Sequence, residues 1–160
     1  MPTTPRRTEA TLSPLDVGGR SNRVIYGKTF YREVPITIAE MLAIRATPKT
    51  LVPAPGAGRV NEFIGAVFIY DYAAAFTETA DNLAIRETDG SGTIVSLTLE
   101  TTGLLDATAD KMSTIKPLAT DVLQLANKAL VLHNTGDGEL GGTGSPCRVK
   151  VAYKVHKTGL

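Results

Sequence analysis

Residues 47–72, TPKTLVPAPGAGRVNEFIGAVFIYDY, set a short apolar run and a long one on either side of a proline–glycine turn. Pro53 and Pro55 fix φ and remove two ladder donors, so the first strand is expected to break there or to lie at a sheet edge. Gly56 and Gly58 supply the permissive dihedrals for a reversal. Beyond them Val60, Phe63, Ile64, Val67, Phe68, Ile69, Tyr70 and Tyr72 form a stretch dense in β-branched and aromatic residues, which suits a strand buried on at least one face.

The remaining pattern is mostly short strands. Residues 82–87, NLAIRE, alternate briefly, and residues 88–93, TDGSGT, form a turn with two glycines two apart. In residues 95–105, VSLTLETTGLL, Val95, Leu97 and Leu99 alternate with Ser96, Thr98 and Glu100, which predicts a half-buried antiparallel strand. Residues 73–82 are expected to be a connector, and the mixed polar stretch 105–121 a long crossing loop. Residues 128–135, KALVLHNT, read as a strand, and 136–146, GDGELGGTGSP, as a glycine-rich hairpin tip. The closing run 147–157, CRVKVAYKVHK, places Val149, Val151, Tyr153 and Val155 on one face and lysines on the other. Strands of this number and spacing predict an all-β, jelly-roll-like antiparallel β-sandwich.

One segment breaks the β pattern. In residues 37–44, TIAEMLAI, alternation would put Glu40 on the apolar face with Ile36, Ile38, Leu42 and Ile44. A helix gives Glu40 a role instead, because Thr37-x-x-Glu40 is a capping box followed by the helix formers Met41, Leu42 and Ala43. One short helix is therefore expected, ending before Pro48, which pushes Thr47 towards extended dihedrals.

A chain of 160 residues is long enough for one domain with a sizeable core. The 15 glycines and 9 prolines fit a turn-rich β fold, and a net charge of +1 offers no global field for nucleic acid or an anionic membrane. No apolar run is long enough to span a bilayer, and the first residues lack the apolar centre of a signal peptide, so synthesis and assembly in a cytosol are expected. Charge is nonetheless uneven. Residues 1–32 carry Arg6, Arg7, Arg20, Arg23, Lys28 and Arg32 against Glu9 and Asp16, and the remainder is net negative. With Pro2, Pro5, Pro14, Gly18 and Gly19 and no periodicity before Val24, residues 1–23 read as an extended N-terminal arm and residues 24–160 as the domain. The arm is either a frayed terminus or a basic segment that orders on an acidic partner, with Arg6, Arg7, Arg20 and Arg23 as its partner-binding residues.

The chain offers little for catalysis. The single cysteine, Cys147, excludes an internal disulfide and a multi-cysteine metal cluster, and its position before an apolar strand suits a small buried hydrophobe. His133 and His156 have no G-x-S-x-G elbow to serve, and two histidines cannot supply a three-histidine metal site. PAPGAG lacks the lysine and Ser/Thr of a P-loop, and a single GDGELGGTG does not make a calcium-binding repeat array. Asp71 with Glu78 or Asp81 could pair as carboxylates, although carboxylates at a strand end are ordinarily just solvated. No cofactor is expected, and no enzyme.

The helix ITIAEMLAI, the turn TPKTLVPAPGAGRV, the strand FIYDY, NLAIRE and the ending KALVLHN…GGTGSPCRVKVAYKV together resemble the small jelly-roll structural proteins of tailed-bacteriophage virions, including capsid decoration or cement proteins. The resemblance covers about residues 34–157 and rests on framework features. It implies a non-enzymatic virion protein at the capsid surface, partnered by the major capsid protein and by copies of itself as a trimer. It carries over no catalytic residue. A tail or head-fibre module, touching a receptor or glycan through residues 89–92 and 136–144, is the alternative it leaves open.

Overall fold

The computed structural model of the chain describes residues 27–77 and 82–158. The first strand, β1 (Thr29–Ile36), runs into a five-residue helix, α1 (Ile38–Leu42), and then β2 (Lys49–Val52). Next come β3 (Arg59–Tyr70), the two-residue β4 (Phe76–Thr77), β5 (Asn82–Glu87) and the equally short β6 (Leu99–Glu100). The series closes with β7 (Lys111–Ile115), β8 (Leu130–Asn134), the minor β9 (Gly141–Gly142) and β10 (Cys147–Lys157).

Two four-stranded antiparallel sheets result, in the orders β1-β10-β3-β7 and β2-β8-β5-β6, with β4 and β9 as a small third pair. Setting that pair aside, eight principal strands remain among the described residues. The first pairs with the eighth, the second with the seventh, the third with the sixth and the fourth with the fifth. That nesting is one long hairpin rolled across two sheets, which is a jelly roll. Between the sheets lie Met41, Leu51, Phe68, Leu83, Ile85, Leu105, Leu130, Leu132 and Val149, each wholly buried. At about 1.5–3 kcal/mol per large aliphatic or aromatic side chain, this interior drives folding.

The helix forms as its capping box predicts. The Glu40 N–H donates to Thr37 Oγ1 at 3.3 Å, and the Thr37 N–H donates back to Glu40 Oε2 at 2.9 Å. Lys49 also pairs with Glu40 and holds its carboxyl below the usual range, helped by the Thr37 backbone. β2 stops at Val52, before Pro53, and is an edge strand. Gly56 (φ 95°) and Gly58 (φ 66°) make the reversal, but the turn carries the chain from one sheet to the other because β2 pairs with β8 and β3 with β10 and β7.

Three expectations need correction. Residues 105–121 are not all loop, since β7 lies within them at the edge of the first sheet; of its five side chains only Ile115 is buried, which is why its sequence reads as polar. The alternation over residues 95–105 is partly inverted: Ser96 is buried, Leu97 is 44% exposed, and only Leu99–Glu100 joins the ladder. The cause is the Ser96 hydroxyl, which accepts the Ile85 N–H at 2.9 Å and donates to the Leu97 carbonyl at 2.9 Å, drawing a polar side chain inward. The glycine-rich residues 136–146 do not cap a simple hairpin, because β8 and β10 belong to different sheets and β9 within this stretch pairs with β4.

Candidate functional site

The two sheets treat their outer faces differently. On the first, the register sets Tyr31, Ala152 and Gly65 in one row across β1, β10 and β3, with Glu33, Lys150 and Val67 in the next and Pro35, Arg148 and Ile69 beyond. Small Ala152 and Gly65 leave a notch of about 360 Å³ beside Tyr31, which is itself 81% exposed. Met112 on β7, opposite Ile69, is 70% exposed. Charged and polar pairs run through and beside these apolar positions. Arg148 holds Asp71 through Nε–Oδ2 at 2.9 Å and Nη2–Oδ1 at 3.0 Å, Lys150 reaches Glu33 at 3.5 Å, and His156 Nε2 lies 2.6 Å from Glu62. The Arg148 guanidinium keeps the Asp71 carboxyl below its ordinary range.

The second sheet is covered on its outer face by the molecule's own loops. Val131 on β8 is buried although it points away from the main core, as are Ala84 and His133. Residues 88–93 fold back over this face. Arg86 Nη1 donates to the Gly92 carbonyl at 3.3 Å, and Gly90 lies so close to His133 that an added Cβ would fall 2.5 Å from Nε2. Residues 135–139 approach from the other side, braced by Asn134, whose Nδ2 donates to the Gly138 carbonyl at 2.9 Å and whose Oδ1 accepts the Gly136 N–H at 2.7 Å. Glu139 closes the group by accepting the Arg45 and Ala46 N–H groups at 2.9 and 2.7 Å. A polar depression of about 800 Å³ results, rimmed by Arg45, Asp89, Asp137 and Glu139 and floored by Gly90 and His133. Burial, reinforced by the charges of Arg86 and Arg45, pushes the His133 pKa down.

Arg6, Arg7, Arg20 and Arg23 lie outside the described residues, as do Glu78 and Asp81. Asp71 is committed to Arg148. Cys147 is the buried thiol expected, with its pKa pushed up to about 12 by burial and by Asp71. His156 stands near the end of β10 beside Glu62, whereas His133 is interior to β8 and buried. Of the tyrosines, Tyr70 is core, with its hydroxyl donating to the Ala74 carbonyl at 2.7 Å, and Tyr31 is surface. Among the described residues no group of three or more His, Cys, Asp or Glu side chains is placed to hold a metal ion, and no helix is long and apolar enough to cross a membrane. The sequence reading missed the first-sheet strip, although Tyr31, Glu33 and Pro35 sharing one parity of a strand could have signalled it.

No protein-family model matches the chain, and no curated protein matches it. Among solved structures it is similar to a chain of the cyanophage Pam1 capsid asymmetric unit, at 14% identity and a TM-score of 0.44, over 96% of this chain and 99% of that one. At that level of likeness the fold is judged from the strand pairing itself.

Proposed function

We propose that this is a non-enzymatic phage virion protein that binds and stabilises a capsid shell as a decoration or cement protein. The observation that carries the reading is the outer face of the first sheet, which no other described residues cover, where Tyr31 and Met112 are exposed and Val67 and Ile69 half-buried beside ion pairs, while the second sheet is covered. The resemblance of residues 34–157 to phage jelly-roll virion proteins supplies the partner class. The partner is the major capsid protein, the location is the outside of the virion, and the copies associate as a symmetric oligomer, three-fold in the proteins it resembles. Weak contacts repeated over several copies then add through multivalency.

A second reading, a tail or head-fibre module, is favoured by one observation: the two loops at residues 89–92 and 136–144 contribute to a single depression. Electron cryo-microscopy of particles containing the protein separates the two. Density at every equivalent shell position, with the Tyr31 face against the capsid, is the expected result. The variant Tyr31→Asp should fold normally yet leave the shell undecorated. Density confined to a tail or a single vertex, or full decoration by Tyr31→Asp, would remove the cement reading.

A further inference from the structure

The sequence contains two Asp-Gly pairs, Asp89–Gly90 and Asp137–Gly138, and the fold brings both to the outer face of the second sheet. In such a pair the glycine nitrogen can close on the aspartate Cγ, because no Cβ crowds its approach. Three conditions govern the closure: a carboxyl free to take up a proton, a glycine N–H not held elsewhere, and room for the linking peptide to turn. Asp89 fails them. Its Oδ1 accepts the Ser91 hydroxyl at 2.7 Å and the Ser91 N–H at 2.8 Å, and these bonds keep its carboxyl below the usual range. The Gly92 N–H on the Asp89 carbonyl at 3.3 Å and the packing of Gly90 against the His133 ring lock the turn further.

Asp137 satisfies them. It is exposed between Gly136 and Gly138, and its carboxylate accepts no hydrogen bond from the described residues. The Gly138 N–H donates to none of them either, and a Cβ at Gly138 would meet nothing within 4 Å. Asn134 gives a reaction here a structural consequence. Its buried side chain grips the loop on both sides of Asp137, with Oδ1 accepting the Gly136 N–H at 2.7 Å and Nδ2 donating to the Gly138 carbonyl at 2.9 Å. The next residue, Glu139, accepts the Arg45 and Ala46 N–H groups and so ties this loop to the segment after α1.

We propose that Asp137–Gly138 is a self-modification site, at which the main chain converts to isoaspartate and opens the Asn134 clasp. The Gly138 nitrogen attacks Cγ of the protonated Asp137 carboxyl. The N–Cγ bond forms, a Cγ–O bond breaks, and the departing hydroxyl leaves as water with the amide proton. Water then adds to the cyclic imide. Attack at Cγ restores aspartate, whereas attack at the main-chain carbonyl carbon breaks its bond to nitrogen and routes the chain through Cβ and Cγ. No oxidation or reduction occurs, and the water lost is regained. The converted backbone is one carbon longer between the two groups that Asn134 holds, so both bonds cannot persist, and Glu139 is carried away from Arg45 and Ala46. The inference does not rest on the shell reading.

The test is accelerated ageing of the full 160-residue protein in mildly acidic buffer, with isoaspartate located by isoaspartyl methyltransferase labelling and peptide mass spectrometry. In the folded protein Asp137 should convert several-fold faster than Asp89, while in the guanidinium-unfolded chain the two should convert at similar rates. Ser91→Ala should raise conversion at Asp89 and leave Asp137 unchanged. Hydrogen exchange of the Arg45 and Ala46 amides should quicken in the aged wild type but not in aged Asp137→Glu, whose longer side chain closes the imide ring poorly. Conversion of Asp89 as fast as Asp137 in the folded protein would overturn the site, as would an Asp137 that stays intact when folded. The same several-fold ratio in the unfolded chain would overturn the role given to the fold, and unchanged exchange at Arg45 and Ala46 in converted protein would overturn the opening of the clasp.

Discussion

Both sheets are antiparallel, four-stranded and apolar on their inner faces, yet they differ on the outside. The first is held across its outer surface by ion pairs in water, as in Arg148 with Asp71 and Lys150 with Glu33. The second has Ala84, Val131 and His133 of its outer face buried, and it keeps the polar groups Ser96, Glu87 and Asn134 out of water, each bonded to backbone, with Glu87 and Asn134 on the inward parity of Leu83, Ile85, Leu130 and Leu132. Exposed ion pairs are worth roughly 0–1 kcal/mol each, whereas an orphaned buried polar group costs about 1–3 kcal/mol. The second sheet is therefore the more sensitive to substitution, and the first is free to present side chains to a partner.

The largest expected effect comes from placing one cation on each outer face. Val131→Lys puts an ammonium into a site 2% exposed, directly across the ladder from Arg86, and should destabilise by about 3–5 kcal/mol. Met112→Lys, at 70% exposure, should stay within about 0.5 kcal/mol. Urea melts of the two variants measure the difference, and comparable losses would break the distinction between covered and bare faces. A smaller contrast sets hydrogen bond against ion pair. Ser96→Ala orphans the Ile85 N–H and should cost about 1–3 kcal/mol, while Glu33→Ala removes two exposed contacts at 3.5 Å and should cost no more than about 1 kcal/mol.

The same division explains what was legible in the sequence. β2, β3, β5, β8, β10 and α1 announce themselves through local chemistry: proline stops, β-branched density, alternation and a capping box. β7 does not, because an edge strand with one buried side chain carries almost no apolar signal. Ser96 and Leu97 exchange the faces their hydropathy predicts, since a bond from Ile85, eleven residues away, decides the matter. In β3 the pairing passes from Gly65–Ala152 to Phe63–Tyr153, leaving Ile64 as an extra residue. That bulge moves the inward set from Ala66, Phe68 and Tyr70 to Asn61 and Phe63. Inward Asn61 then donates to the Pro53 and Lys128 carbonyls at 2.9 and 3.1 Å, a role no local window contains. The depression was half legible, in that both loops stood out as glycine-rich turns, but their meeting over His133 depends on the rolled topology.

The smallest and sharpest test of the comparison uses one acid from each side. Asp71, beside the first sheet, has its carboxyl held down by Arg148, whereas Glu87 on the second, 1% exposed, has its carboxyl pushed up by burial, with the Leu125 N–H at 3.2 Å offsetting part of the effect. A raised folded-state pKa means that the native protein holds the Glu87 proton over a pH range in which the unfolded chain, near 4.5, has released it. Stability from this group is therefore fully present below about pH 4.5 and declines as pH rises through the folded value, by about 1.4 kcal/mol per unit of elevation. Asp71 works in the opposite sense, contributing stability above its unfolded value of 3.8 that is lost as pH falls through its depressed one. Glu87→Gln keeps an acceptor for Leu125 but cannot ionise, so the variant should gain on the wild type as pH climbs from 4 to 7. Subtracting the two stability curves cancels the contribution of Asp71 and every other shared carboxylate. A flat difference would mean that Glu87 is solvated in the folded protein, and the buried polar character assigned to the second sheet would lose one of its three supports.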